Sequence, residues 1–455
     1  MSAKVILTIT EGKLPGRQYI FDFRTSCIIG RAKDCNIQLP DDENHSTISR
    51  YHCLLDINPP DIRIRDFGRK NGTYVNNKKI SQRQDNQTPE EAAKEYFPEF
   101  DLQDSDEIKL SNTVFAVCIE SQPEEIKINN FFPPTIDFNN NPTEAPNLLE
   151  YIKKLLGLAK AGNQNLLAIQ GYDIIQILGR GGCGEVYLAQ HNHSQKFIAL
   201  KVMLPQVVKS EYAVNLFLRE TENIKILRHP HVVNLIDYGY SEGIFFFTME
   251  YCQGGTVEDL MRQQGGQLSI DIATAIILQV LDGLEYSHNV EIPYVKLRDG
   301  NFGKGKGLVH RDLKPGNTFL TYQDGKITAK IGDYGLSKAF DLAGLSGQTR
   351  TGSRVGTPVF IPRQQVLDFK YAKPEVDVWA AAASLYYMLT GYYPRDFLGN
   401  DIYLEVLRNK PVPILKRDTN IPHKLAEIID LALVEEPEIY FKSAKAFKQA
   451  LLNVL

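Results

Sequence analysis

The chain lacks an apolar run fit to cross a membrane. Its longest candidate, Val376 to Thr390, carries Asp377 and falls short of the ~20 apolar residues that span ~30 Å of hydrocarbon, so it reads as a buried helix. The start, M-S-A-K-V-I-L-T-I-T, has no signal-type apolar core and no small-residue cleavage site, and export is not expected. Cysteine is scarce: Cys27, Cys35, Cys53, Cys118, Cys183 and Cys252 show no close metal-ligand spacing and are too few for a disulfide framework, which points to reduced thiols in a cytoplasmic setting. Net charge is also small. A formal charge of -4 and a pI near 6.2 exclude binding dominated by neutralisation of nucleic-acid phosphates. No internal repeat of solenoid period is present. What remains is 455 residues, 43% of them hydrophobic, enough for about two to four packed domains.

Residues 1–122 alternate short β-type runs (Val5 to Ile9, Tyr19 to Phe23, Val114 to Ile119) with turn residues, and an all-β domain is expected. Residues 123–170 shift to Pro, Asn and Glu and read as a linker. Within it, Leu148 to Ala161 is helical, with Leu148, Ile152, Leu155 and Leu156 on one face that needs a neighbouring domain to dock on. Residues 171–455 give strands first and long helices later, which predicts an α+β domain with a mixed small lobe and a helical large lobe.

Chemistry concentrates in that last segment. G-R-G-G-C-G-E-V, Gly179 to Val186, lies between two strand-like runs, where its glycines let a hairpin backbone approach phosphates. A dinucleotide-binding unit would continue into a helix, whereas a strand follows here. F-I-A-L-K-V buries Lys201 in a strand, where a cation needs a partner, and Glu220, nineteen residues on in a helical stretch, is the candidate. V-H-R-D-L-K-P-G-N, Val309 to Asn317, is followed by D-Y-G at Asp333 to Gly335. Two carboxylates, a lysine and an amide so spaced suit phosphate holding and removal of a hydroxyl proton.

In this order the motifs resemble the catalytic domain of protein kinases. The resemblance implies a bilobal fold in which Lys201 holds the α and β phosphates of ATP and Glu220 orients it. It makes Asp312 the acceptor of the substrate hydroxyl's proton, Lys314 its companion, and Asn317 and Asp333 the Mg2+ ligands. Gly179, Gly181, Gly184 and Val186 would cover the nucleotide, and Glu250 and Cys252 would meet adenine through main-chain groups. Lys314, and Thr357 in G-T-P, resemble the serine/threonine branch. Arg311 before Asp312 resembles members switched on by phosphate in the activation segment, for which Thr349, Thr351 and Ser353 are the candidate sites.

The pattern departs from the family at four places. Where the family has A-P-E, Pro362 to Gln364 reads P-R-Q, and where it has the partner arginine, this chain has Tyr440; a rebuilt Gln364 to Tyr440 contact is expected. Tyr334 replaces the usual Phe and brings a hydroxyl that needs a partner when buried. Cys183 stands at the tip of the glycine loop and reads as a small tolerated residue. Residues 289–307 are an insertion read as a β-hairpin around Asp299-Gly300, with basic residues Lys296, Arg298, Lys304 and Lys306 on a solvated edge.

In the all-β half, Gly30-Arg31, then S-R-Y-H at Ser49 to His52, then N-G-T-Y-V-N at Asn71 to Asn76 resemble the forkhead-associated (FHA) domain, a β-sandwich that binds phosphothreonine. The resemblance implies that Arg31 and Ser49 contact phosphate, that Arg50 and Lys70 assist, that Asn71 holds the peptide main chain, and that His52 is structural. Residues 81–100 are longer than this family's usual connection. Implied partners are protein substrates and phosphothreonine proteins, with Thr135 and Thr143 of the linker as possible intramolecular ligands once phosphorylated. The competing readings are an ATP-binding scaffold without turnover, with P-R-Q as its foothold, and a dinucleotide-dependent enzyme, opposed by the strand after the glycine loop.

Overall fold

The computed structural model describes residues 4–22, 25–42, 45, 47–67, 71–81, 99–120, 148–160, 164–181, 184–203, 211–241, 244–296, 302–323, 325–334, 358–367, 372–398 and 402–455. Lys70, Cys183, Thr349, Thr351, Ser353, Thr357, the linker threonines and most of the 81–100 segment lie outside them. The chain divides into two compact units, residues 1–125 with 356–455, and residues 126–355.

The N-terminal strands are β1 (Lys4–Glu11), β2 (Gln18–Phe21), β3 (Thr25–Gly30), β4 (Ile37–Gln38), β5 (Cys53–Asn58), β6 (Asp61–Asp66), β7 (Thr73–Val75), β8 (Lys78–Ser81), β9 (Phe100–Leu102), β10 (Glu107–Leu110) and β11 (Thr113–Glu120). They form two sheets, ordered β2-β1-β11-β10-β7-β8 and β4-β3-β5-β6-β9. Strand alternation places Val5, Leu7 and Ile9 of β1 opposite Cys27, Ile29, Leu55 and Ile57 in one core, while intervening residues face outward. The all-β expectation for this half therefore holds.

In the second unit, helix α1 (Leu148–Lys160) buries Ile152, Leu155, Leu156 and Ala159 against Tyr187, Ala189, Leu200, Val202 and Phe246. Its apolar face thus finds the docking surface that a short helix requires. That surface belongs to the sheet β12-β13-β14-β16-β15, built from β12 (Tyr172–Gly181), β13 (Gly184–His191), β14 (Phe197–Met203), β15 (Leu235–Ser241) and β16 (Ile244–Glu250). Helix α2 (Glu211–Lys225) lies between β14 and β15 in sequence. Helix α3 (Val257–Gln263) starts at a reciprocal cap between Thr256 and Asp259, and α4 (Ile270–Asn289) starts at Ser269, whose side chain accepts from the Ile272 amide. Two hairpins follow. The insertion forms β17 (Glu291–Lys296) paired with β18 (Phe302–Lys306), as its alternation predicts, and β19 (Thr318–Gln323) pairs with β20 (Lys326–Ile331).

Helices α5 (Arg363–Leu367), α6 (Glu375–Thr390), α7 (Ile402–Arg408), α8 (His423–Ala432) and α9 (Ala444–Leu452) complete the first unit. Helix α6 is the apolar candidate of the sequence; it is buried almost throughout and stops at Gly391, which takes the left-handed conformation (φ +70°). Among the described residues no helix is long and apolar enough to cross a membrane.

Candidate active site

Among the glycines of the glycine-rich segment, Gly184 opens β13. Its φ is +150°, and a Cβ there would lie 1.9 Å from the Val202 carbonyl oxygen, so only glycine lets β13 run this close to β14. The register then sets Val186 beside Lys201. Gly179 and Gly181 close the preceding strand opposite Val186 and Gly184.

Lys201 is buried in β14, and its ammonium donates to the Asp333 carboxylate at 2.8 Å. Burial pushes the Asp333 carboxyl up, but the Lys201 ammonium, with His310 and Lys314, more than offsets this and holds it below the ordinary carboxylate range. Glu220 on α2 behaves in the opposite way: desolvation raises its carboxyl, with Arg311 and a hydrogen bond involving Asn223 pulling it only partly back. Lys201 and Glu220 are thus not each other's ion-pair partners in this arrangement, contrary to the sequence expectation. The reason is placement: Asp333 reaches the ammonium, whereas the Glu220 carboxylate has Arg311 and Asn223 as its neighbours.

Asp312, Lys314 and Asn317 cluster because one short turn carries all three. The Lys314 ammonium lies 3.2 Å from the Asp312 carboxylate, and the Asn317 amide nitrogen donates to both the Asp312 carbonyl (2.8 Å) and carboxylate (2.9 Å). Arg311 and Asp333 both adopt left-handed backbone (φ +66° and +54°), a conformation that costs free energy in non-glycine residues and concentrates at functional sites. His310, fully buried, braces the two segments. Its Nδ1 accepts from the Asp312 amide at 3.2 Å, so its Nε2–H donates to the Gly332 carbonyl at 2.8 Å. The Asn317 carbonyl accepts from the Gly332 amide at 2.9 Å, which ties the proposed base to the segment that carries Asp333.

At the end of β16, Glu250 is ion-paired with Lys330 at 2.9 Å, and burial pushes the nearby Cys252 thiol up to about 12, so it meets any ligand as a neutral group. Sequence reasoning missed Lys330, His310 as a brace, and Asn223. Only His310, inside the V-H-R-D motif, carried a signal.

The N-terminal sandwich brings its candidates together at loop ends. A Cβ on Gly30 would lie 2.0 Å from the Arg50 carbonyl oxygen, so glycine is what lets the Arg31 loop close on the Ser49–Arg50 loop. There the Arg31 amide donates to the Ser49 carbonyl at 3.1 Å, while its guanidinium pairs with Asp41 and donates to the Ile48 carbonyl at 2.5 Å. His52 is a brace: its Nδ1 accepts from the Ser49 amide (3.1 Å), and Nε2 bonds the Gly72 carbonyl (3.2 Å) beside Asn71. The Asn71 side chain donates to the Thr47 carbonyl at 2.6 Å. Arg50 is exposed, with no ion-pair partner among the described residues.

Comparison with known proteins decides the family. Residues 172–449 match the protein kinase domain, well over half of the chain. The chain belongs to the protein kinase family. Residues 27–90 match the FHA domain. A probable serine/threonine-protein kinase of Clostridium perfringens, CPE1738, is 28% identical over 60% of this chain and 37% of its own length. Serine/threonine-protein kinase PknD of Mycobacterium tuberculosis is 30% identical over 60% of this chain and 38% of its own. CBL-interacting protein kinase 17 of rice is 32% identical over 59% of this chain and 52% of its own. The chain thus spans between about a third and a half of the length of these relatives. The PknI kinase domain of M. tuberculosis, 23% identical, covers 63% of this chain and 96% of its own, with a TM-score of 0.46.

Two departures from the kinase pattern resolve structurally. The Tyr334 hydroxyl is buried and donates to Ser287 Oγ at 2.8 Å, while Ser287 donates onward to the Leu284 carbonyl at 3.1 Å. Gln364 does not meet Tyr440, whose side chain is half exposed; it donates instead to the Glu435 carbonyl. The Glu435 side chain is in turn ion-paired with Arg395, which is 1% exposed.

The kinase-domain residues also fit Mg·ATP. Asp333 and Asn317 offer hard oxygens, and because the Asn317 amide nitrogen is committed to Asp312, its Oδ1 is the atom left for a cation.

Proposed function

We propose that the chain is an ATP-dependent serine/threonine protein kinase with a built-in phosphothreonine reader. The observation that carries the reading is the single bonded set of Lys201 on Asp333 and Asn317 and Lys314 on Asp312, joined through His310. When bound, Mg·ATP supplies the phosphoryl group and the metal charge. Lys201 would hold the α and β phosphates, with Asp333 and Asn317 on the metal, and Gly179, Gly181, Gly184 and Val186 above them. Asp312 would take the proton of a serine or threonine hydroxyl, and Lys314 beside it would stabilise the negative charge on the phosphoryl group being transferred. Glu220, apart from Lys201 here, would complete the site by moving to that lysine. The FHA residues Arg31, Ser49, Arg50 and Asn71 would recruit phosphothreonine proteins.

Incubation of the chain and of Asp312→Asn with Mg·ATP and protein substrate, followed by mapping of phosphate by mass spectrometry, tests this. Phosphoserine and phosphothreonine in wild type alone are expected, with Thr349, Thr351 and Ser353 as the first positions to inspect. Equal incorporation by Asp312→Asn would remove that residue from the mechanism; none in wild type despite ATP binding would favour the scaffold reading.

A further inference from the structure

The loops that carry Arg31, Ser49 and Arg50 form one wall of a cleft of about 1080 Å3. The facing wall comes from the kinase domain, chiefly Arg408, Lys410 and Glu436. Both walls belong to one compact unit. Ile28, Cys35, Leu54 and Phe67 of the sandwich share an apolar cluster with Val366, Leu404, Val406 and Leu407. The Arg363 guanidinium bonds Asp34 and Tyr51 on one side and the Leu407 carbonyl on the other.

The kinase wall is rigidly held. Arg395 Nε donates to the Asn409 carbonyl at 2.9 Å, the Asn409 side chain donates to the Asp396 carbonyl at 2.8 Å, and the Val412 amide donates to the Pro394 carbonyl at 2.7 Å. Lys410 therefore projects from a fixed backbone. Its side chain is 84% exposed, and its ammonium lies 3.5 Å from Glu436. Lys33 and Arg50 line the sandwich side, with no ion-pair partner among the described residues. The anions in the cleft are Asp41, Asp430, Glu435 and Glu436. Glu435 is engaged by Arg395, and Asp41, 70% exposed, occupies Arg31. An exposed ion pair of that kind is worth little, so a phosphate carrying about -1.5 to -2 charges displaces Asp41 readily.

We propose that this cleft is a composite reader in which the kinase domain contacts the phosphothreonine peptide alongside the FHA loops. Lys410 sets part of the preference, favouring an acidic residue beside the phosphothreonine. The cleft slightly exceeds the volumes of about 300–1,000 Å3 that usually enclose small ligands, which leaves room for more than one phosphorylated side chain. The proposal rests on the phosphothreonine reading of Arg31 and Ser49, and the experiment separates the two.

The full chain is titrated calorimetrically with two phosphothreonine peptides, one flanked by aspartate and one by alanine, and with their unphosphorylated forms. Arg31→Ala should weaken both phosphopeptides at least about tenfold. Lys410→Glu should weaken the aspartate-flanked peptide about fivefold more than the alanine-flanked one, the scale of one exposed charge pair. Glu436→Gln should strengthen that peptide about twofold, a gain that misfolding cannot produce. If Arg31→Ala changes nothing, the phosphothreonine reading fails and the composite site with it. If Arg31→Ala acts while neither Lys410→Glu nor Glu436→Gln alters discrimination between the two peptides, the reader stands and the composite site is overturned.

Discussion

Removing the Glu435 carboxylate should destabilise the kinase domain severely, because it leaves the buried Arg395 guanidinium without its counter-charge. Arg395 is enclosed by Glu435, the Asn409 carbonyl at 2.9 Å, the Ile361 carbonyl at 3.1 Å, and the Trp379 ring 4.5 Å from its guanidinium carbon. The other Glu435 oxygen accepts from the Arg363 amide at 2.9 Å. Glu435→Ala therefore strands a buried guanidinium and a backbone N–H together. Breaking a buried pair from one side costs roughly 3–5 kcal/mol, since the remaining charge keeps its desolvation penalty without its partner. At about 2–4 °C per kcal/mol for a domain of this size, the melting temperature should fall by roughly 6–20 °C. Differential scanning calorimetry reads this directly. A double-mutant cycle with Arg395→Met adds the coupling: the double variant should lose less than the sum of the singles, by at least about 1 kcal/mol. A Glu435→Ala protein melting within about 2 °C of wild type, or strict additivity in the cycle, would refute the reasoning.

Gln364→Glu should lower stability by about 1–3 kcal/mol, because it exchanges a donor to the Glu435 carbonyl for a carboxylate facing that oxygen; an unchanged urea midpoint would contradict it. Asn223→Ala should cost a similar ~1–3 kcal/mol, since the buried amide donates to the Tyr294 carbonyl (2.8 Å) and accepts from its N–H (3.1 Å), tying the inserted hairpin to α2; a melting temperature equal to wild type would sink that role. Because burial raises the Glu220 carboxyl above its ordinary 4.5, the folded state binds the extra proton, and this contribution to stability is full below that value and lost as pH rises through the raised one. Glu220→Gln should therefore flatten the decline of melting temperature above about pH 4.5 while lowering phosphoryl transfer; a variant that keeps the wild-type slope would count against it.

Residues that share a short turn were legible as a site, because the backbone alone fixes their spacing: Asp312, Lys314 and Asn317 fall within one hydrogen-bonded group. Partners far apart in sequence were not. Both Glu220 and Asp333 are carboxylates that can reach a lysine in β14, and the choice depends on where α2 lies, which no local pattern encodes. The Gln364 contact failed for a related reason. Tyr440 fills the position where the family keeps its arginine, but the Gln364 amide turns to the Glu435 carbonyl, a main-chain group that no side-chain pattern marks as its partner. The insertion was readable as a hairpin from its alternation, yet its attachment through Asn223 was not, because an asparagine in a helical stretch gives no sign that it faces a strand end.

The joint between the FHA sandwich and the last kinase helices did leave a trace in the sequence. A sandwich strand with one solvated face alternates apolar and polar residues, whereas a strand covered on both faces reads as a continuous apolar run. In β3, Cys27, Ile28 and Ile29 are consecutive, and in β5, Leu54 and Leu55 are adjacent. Cys27, Ile29 and Leu55 face the sandwich core, which leaves Ile28 and Leu54 on the outer face, where both are buried with Leu404, Val406 and Leu407. Fully burying side chains of this size contributes about 1.5–3 kcal/mol each, so the outer-face pair alone favours the docked arrangement by several kcal/mol before any ion pair is counted. Arg363, Asp34 and Tyr51 then set its orientation, and that orientation brings Lys410 across the cleft from Arg31.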